Sequence, residues 1–166
     1  MMHLVRWAAL LGFLVLCFGV AGVAGWLTRP EITGWYATIR KPPWSPPNWI
    51  FGPVWTTLYA MMAVAGWLVW QTQPGPQRTR LLWLFAIQLA LNFAWSPLFF
   101  NLHQVGAAAV EIVFLWAAIG AFTILAWDVS RTATVLFAPY WAWVSFAAAL
   151  NIAIWHLNRA KGIVES

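Results

Sequence analysis

The sequence predicts an all-α integral membrane protein, a single domain over residues 1–166 built as a bundle of five transmembrane helices. The chain is 63% hydrophobic and 8% charged, whereas soluble proteins carry about 25% charged residues. Five apolar runs each reach the ~18 residues that a membrane-crossing helix needs. They do not alternate polar and apolar positions in the ~10-residue segments of a membrane barrel, so the backbone hydrogen bonds must close within each helix.

The first span is read at residues 4–27. Arg6, ahead of the uncharged apolar run, and the small residues Gly22 to Ala24 would suit a signal peptide, but that run is longer than a usual signal core. Cys17 is the sole cysteine; it excludes an intrachain disulfide and reads as a small buried hydrophobe. The second to fifth spans are read at 48–70, 81–102, 105–127 and 132–157. "QTQPGPQRTR" separates the second from the third as a Pro/Gly turn, while "NLHQVG" and "DVSR" are so short that they join antiparallel neighbours. The exception is the first connection, residues 28–47, rich in tryptophan and proline. Arg6, Arg78, Arg80 and Arg131 fall on one side of the membrane, and Arg29, Arg40, Lys41, Arg159 and Lys161 on the other. That bias weakly favours a cytoplasmic C-terminus.

The net charge of +5 is scattered over connecting segments and forms no basic face for nucleic acid. No nucleophile, base and orienter set, phosphate-binding glycine loop or carboxylate pair is visible. Candidate sites come instead from polar and aromatic residues at membrane depth, each of which needs a partner there. Gln88, Asn92 and Trp95 share one face of the third span at i, i+4 and i+7. Tyr140, Trp143, Ala147 and Asn151 do so in the fifth, and Trp55 and Tyr59 in the second. On each helix, packing and interhelical hydrogen bonding compete with a ligand role. Converging, the three stripes would line a cavity in which Trp55 and Trp143, whose indole N–H groups donate but do not accept, grip a carbonyl or carboxylate beside a flat apolar ligand. Fifteen Trp exceed what interfacial belts require.

Pro53, Pro97 and Pro139 are expected to bend or fray their helices. Glu111, the one acid clearly inside a span, reads as a paired or protonated carboxyl. Asp128 beside Arg131 reads as a solvated loop pair, and His103 and His156 as structural, with His156 a candidate haem contact.

Three motifs in order, "WYATIRKPPWSPPNWIFGPVWTTLY", "QLALNFAWSPLFFN" and "APYWAWVSFAAALN", resemble those of the TspO/MBR family, the tryptophan-rich sensory proteins of bacteria and the translocator protein, or peripheral benzodiazepine receptor, of mitochondria. The resemblance covers the chain from the end of the first span to Asn151. It implies a five-helix bundle, usually a homodimer, that binds tetrapyrroles such as protoporphyrin IX or haem in a pocket closed by the first loop. Some members bind cholesterol and isoquinoline carboxamides. The resemblance implies no required cofactor, with porphyrin or haem as ligand and membrane lipid around the bundle.

By motif, the resemblance assigns Trp55 and Trp143 to ligand hydrogen bonding, Asn92 and Trp95 to the third-helix wall, and Ala147 to the fifth. It assigns Trp35, Tyr36 and Trp44 to the lid, and Phe51, Gly52 and Phe114 to further wall positions. The function implied is that of a receptor or sensor. Light-dependent porphyrin degradation through Trp55 and Trp143 is the enzymatic alternative, and porphyrin or sterol transport a third. "LNIAIWHLNRAK" lacks the tyrosine of the animal cholesterol-associated pattern, which argues against sterol recognition. Ala107, where animal members tend to be aromatic, points to a bacterial membrane, inner or outer, over the mitochondrial outer membrane. Within the lid, residues 35–47 read as semi-rigid; Arg40 and Lys41 can meet a porphyrin's propionates or lipid phosphates, and the membrane surface beside them favours lipid.

Overall fold

The computed structural model describes residues 2–159; Lys161 and the end of the sterol-associated stretch lie outside them. Five membrane-length helices appear among the described residues. These are α1 (Met2–Thr33), α3 (Phe51–Trp70), α4 (Pro76–Ser96), α5 (Val105–Ala126) and α6 (Arg131–Asn158), with a short α2 (Trp35–Thr38) in the first connection. A 3-10 turn, Asn48–Ile50, leads into α3, and a five-residue π-helical turn, Pro97–Asn101, prolongs α4. Contacts close the bundle into a ring in the order α1, α3, α6, α5, α4 and back to α1. The ends of α1, α4 and α6 thus lie with the starts of α3 and α5, beside the first connection.

The boundaries differ from expectation at two prolines. The first span runs to Thr33, through Pro30, so residues 28–33 belong to the helix and the lid is shorter than 28–47. Proline removes its own N–H from the ladder and crowds the carbonyl four residues back, but this last turn is held by other bonds. Asn101 Nδ2 donates to the Leu27 carbonyl at 3.0 Å, and Gly34 N–H to the Pro30 carbonyl at 3.0 Å. Pro53 does not break the second span either: it stands in the first turn of α3, where its missing N–H would have had no intrahelical partner. Pro139 lies inside an unbroken α6, and Pro97 is where α4 widens into its π turn. Ser130 caps α6, accepting from Ala133 N–H at 3.3 Å.

Away from the lid the core is solid. Phe122 and Phe137 lie 4.0 Å apart between ring centres and, with Met62, Phe85 and Ile119, fill the space between helices. Here α1 and α3 touch: a Cβ on Gly66 would come within 2.9 Å of Phe13 and 2.8 Å of Phe85, so only glycine permits the approach. Trp67 stacks on Trp7 and donates to the Arg6 carbonyl at 2.9 Å. Toward the lid the inward residues become small. Ala21, Ala24 and Gly25 on α1, Gly52 on α3 and Ala147 on α6 leave the centre of the ring unfilled.

Candidate ligand cavity

The unfilled space is a cavity of about 420 Å³, within the ~300–1,000 Å³ usual for small-molecule sites. All three predicted stripes converge on it: Trp55 and Tyr59 from α3, Asn92 and Trp95 from α4, and Trp143, Ala147 and Asn151 from α6. Ile112 and Leu115 of α5 form the apolar back wall, and the π turn adds Phe99 and Phe100. The extra residue per turn in that segment carries both phenylalanines onto the cavity side, with ring centres 4.9 Å apart.

The polar groups divide into those the protein satisfies and those it leaves open. Tyr59 Oη donates to Asn92 Oδ1 (2.5 Å), Asn92 Nδ2 to Tyr140 Oη (2.8 Å), Tyr140 Oη to Gln88 Oε1 (3.0 Å), and Gln88 Nε2 to the Phe85 carbonyl (3.0 Å). This chain joins α3, α4 and α6 beneath the cavity. Trp95 Nε1 donates to Asn151 Oδ1 (3.0 Å), and Asn151 Nδ2 to the Val105 carbonyl (2.9 Å). Asn92 and Trp95 therefore line the wall with their main polar atoms already engaged, and Gln88 and Asn151 are interhelical ties.

Trp55 and Trp143 differ. Both are partly buried and line the cavity, and their indole nitrogens are neither hydrogen-bonded within the described residues nor sealed from the space they face. Their rings are held edge-on or tilted by neighbours: Trp55 by Tyr59 and Tyr140 (5.7 and 6.2 Å), Trp143 by Phe51 and Phe146 (5.9 and 5.4 Å). Both rings thus line one aromatic space from two helices, and neither indole N–H has a partner among the described residues. Phe51 and Gly52 line it too, and a Cβ on Gly52 would meet nothing within 4 Å.

The lid assignments need correction. Tyr36 does close the cavity, only 5% exposed, with Phe99 and Phe100 at 6.1 and 5.5 Å. Trp35 does not line it. Its ring stacks at 4.2 Å on His103, which lies 3.1 Å from Glu31, so Trp35 latches the lid to the end of α1 and to the α4–α5 turn. Trp44 is half exposed against Phe146, outside the cavity. Phe114 is 63% exposed and points away, because the inward face of α5 carries Ile112 and Leu115, neither of which stands a whole turn from Phe114. His156 is exposed beside Trp155 and does not line the cavity; neither does Glu111, whose two carboxyl oxygens are buried without a partner.

Sequence reasoning missed the clamp that fixes the lid. Asn158, fully buried, accepts from Arg40 N–H at 2.9 Å and donates through Nδ2 to the Arg40 carbonyl at 2.8 Å. It lies seven residues after Asn151 on the same face of α6, a spacing that would have flagged it. Lys41 donates to the Tyr36 and Ile39 carbonyls and sits 4.5 Å above the Tyr36 ring. Burial holds its pKa below the usual lysine value and raises that of Tyr36. Lys41 thus knits the lid together.

A multi-pass helical membrane protein with a tethered lid over an aromatic internal cavity is the class that this fold and site define. Within that class the chain belongs to the TspO/MBR family, whose model matches residues 13–156. It is 43% identical over 157 residues to the tryptophan-rich protein TspO of Chlorobaculum tepidum, covering 87% of this chain and 95% of that one. It is 40% identical over 158 residues to the translocator protein of Bos taurus, covering 93% of each. With the tryptophan-rich sensory protein of Cereibacter sphaeroides the figures are 35% over 152 residues and 92% of each.

Proposed function

We propose that the protein is a membrane receptor for tetrapyrroles such as protoporphyrin IX and haem, and that occupancy of the cavity is the signal it senses. The observation that carries this reading is the pair of unpartnered indole donors, Trp55 and Trp143, facing one aromatic cavity under a lid. A flat conjugated ring offers faces for Trp143, Phe51 and Phe99 to pack against and acceptor atoms for the two N–H groups. Lid residues such as Tyr36 are already held in place, so little ordering cost remains at binding. The name of the Cereibacter sphaeroides relative, a sensory protein, supports the sensing half of the proposal.

The test is a titration of the purified protein with protoporphyrin IX, followed by quenching of tryptophan fluorescence. Saturable one-site binding is expected, weakened about tenfold or more when Trp55 and Trp143 are both replaced by phenylalanine, since two hydrogen bonds of ~0.5–1.5 kcal/mol each are removed while most ring area is kept. Unchanged affinity in the double variant would remove the two indoles from the site.

A further inference from the structure

Arg29 is the one cavity-lining side chain among the described residues that carries a formal charge. It stands four residues before the end of α1, on the helical face that also brings Phe18, Ala21, Gly25 and Ile32 to the cavity. Phe18, Gly25 and Arg29 are exposed while lining the cavity, and so are Gly52 and Thr56 across from them on α3. A Cβ on Gly25 or Gly52 would meet nothing within 4 Å. Thus α1 and α3, in contact at Phe13 and Gly66, part toward the lid and leave a slot into the cavity with Arg29 on its rim.

The neighbouring charges are otherwise engaged. Glu31 faces His103 at 3.1 Å, Lys41 is bonded to lid carbonyls, and Arg40 does not line the cavity. Among the described residues Arg29 forms no ion pair and no acid lines the cavity.

We propose that Arg29 selects acidic ligands for this cavity, its guanidinium receiving a carboxylate of a flat amphipathic molecule whose apolar body lies among the aromatic rings. The proposal rests on the receptor reading above and adds the ligand's charge and orientation to it. A guanidinium presents a planar fork of donors that fits a carboxylate through two parallel hydrogen bonds. About one helical turn from the end of its span, Arg29 can hold its head at the membrane interface with its stem against the slot. The carboxylates of an apolar ring prefer that same level. The macrocycle is therefore seated edge-first, its uncharged edge inward among the aromatic rings, its ring nitrogens within reach of the indoles, and its acidic edge at Arg29.

The experiment compares protoporphyrin IX with its dimethyl ester, which keeps the ring and loses both charges, in an uncharged detergent without anionic lipid. The native chain is expected to bind the acid about three- to tenfold more tightly than the ester, a preference that shrinks in 0.5 M salt. Arg29→Gln should lower acid binding to the level of the ester and leave ester binding unchanged. Arg29→Lys should retain part of the preference, and Arg40→Gln all of it. An Arg29→Gln protein that still prefers the acid, or that loses both ligands equally, overturns the assignment, as does a native chain that binds both alike. Saturable binding of neither ligand by the native chain overturns the receptor reading itself, and this proposal with it.

Discussion

Replacing Asn158 with alanine isolates the hinge between lid and bundle. The side chain makes two reciprocal hydrogen bonds with the backbone of Arg40, at 2.9 and 2.8 Å, each worth a net ~0.5–1.5 kcal/mol. Arg40 is exposed, so its released groups regain some hydrogen bonding from water, and the lid-closed state should lose about 1–2 kcal/mol. That corresponds to roughly a 5- to 30-fold rise in the open population. Hydrogen exchange read by mass spectrometry should show the backbone amides of residues 35–41 exchanging faster by that factor, with the core of α3, α4 and α5 unchanged. Asn158→Asp keeps an acceptor for Arg40 N–H and loses the donor, so it should fall between the two. If the lid exchanges at the native rate in Asn158→Ala, the clamp does not hold it. If the whole bundle exchanges faster, Asn158 is a packing residue instead.

Three further outcomes follow from the packing. Gly120→Ala would place a Cβ 2.7 Å from the Trp141 ring; overpacking of this kind costs ~1–3 kcal/mol, so thermal unfolding in detergent should come at lower temperature while ligand affinity, measured below it, is kept. Gly52→Leu adds a side chain where a Cβ meets nothing within 4 Å; the melting temperature should hold, while protoporphyrin affinity falls about tenfold or more for lack of room. Tyr140→Phe strips the partner from Asn92 Nδ2 and Gln88 Oε1; two buried groups left unpaired should lower stability by about 1–3 kcal/mol, and equal unfolding curves for both proteins would refute the tie between helices.

The helical bundle was legible because a bilayer leaves few alternatives: apolar runs of spanning length must become helices. The walls of the cavity were legible for a related reason, since polar residues at membrane depth, Tyr59, Asn92, Tyr140 and Asn151, have to face inward and bring the aromatics of the same helical face with them. Their division of labour was not. Asn92 and Trp95 look as available in sequence as Trp55 and Trp143, and only the partners Tyr59, Tyr140 and Asn151 show that they are engaged. Phe114 was misplaced because an aromatic in an apolar helix packs as readily against lipid as against protein. Trp35 and Trp44 were misplaced because nothing local fixes which way a loop ring turns. The end of α1 was misjudged at Pro30, where a distant side chain, Asn101, supplies the support by bonding the Leu27 carbonyl, 74 residues before it.

The central claim, that Trp55 and Trp143 present open donors to a ligand in the cavity, is tested most directly by nuclear magnetic resonance of protein labelled with 15N at the tryptophan indoles. The Trp55 and Trp143 resonances, assigned through their phenylalanine variants, should move saturably as protoporphyrin IX is added. Those of Trp67 and Trp116, bonded to the Arg6 carbonyl and to Ser145 Oγ, should stay in place. Stationary Trp55 and Trp143 signals at saturating ligand would contradict the account.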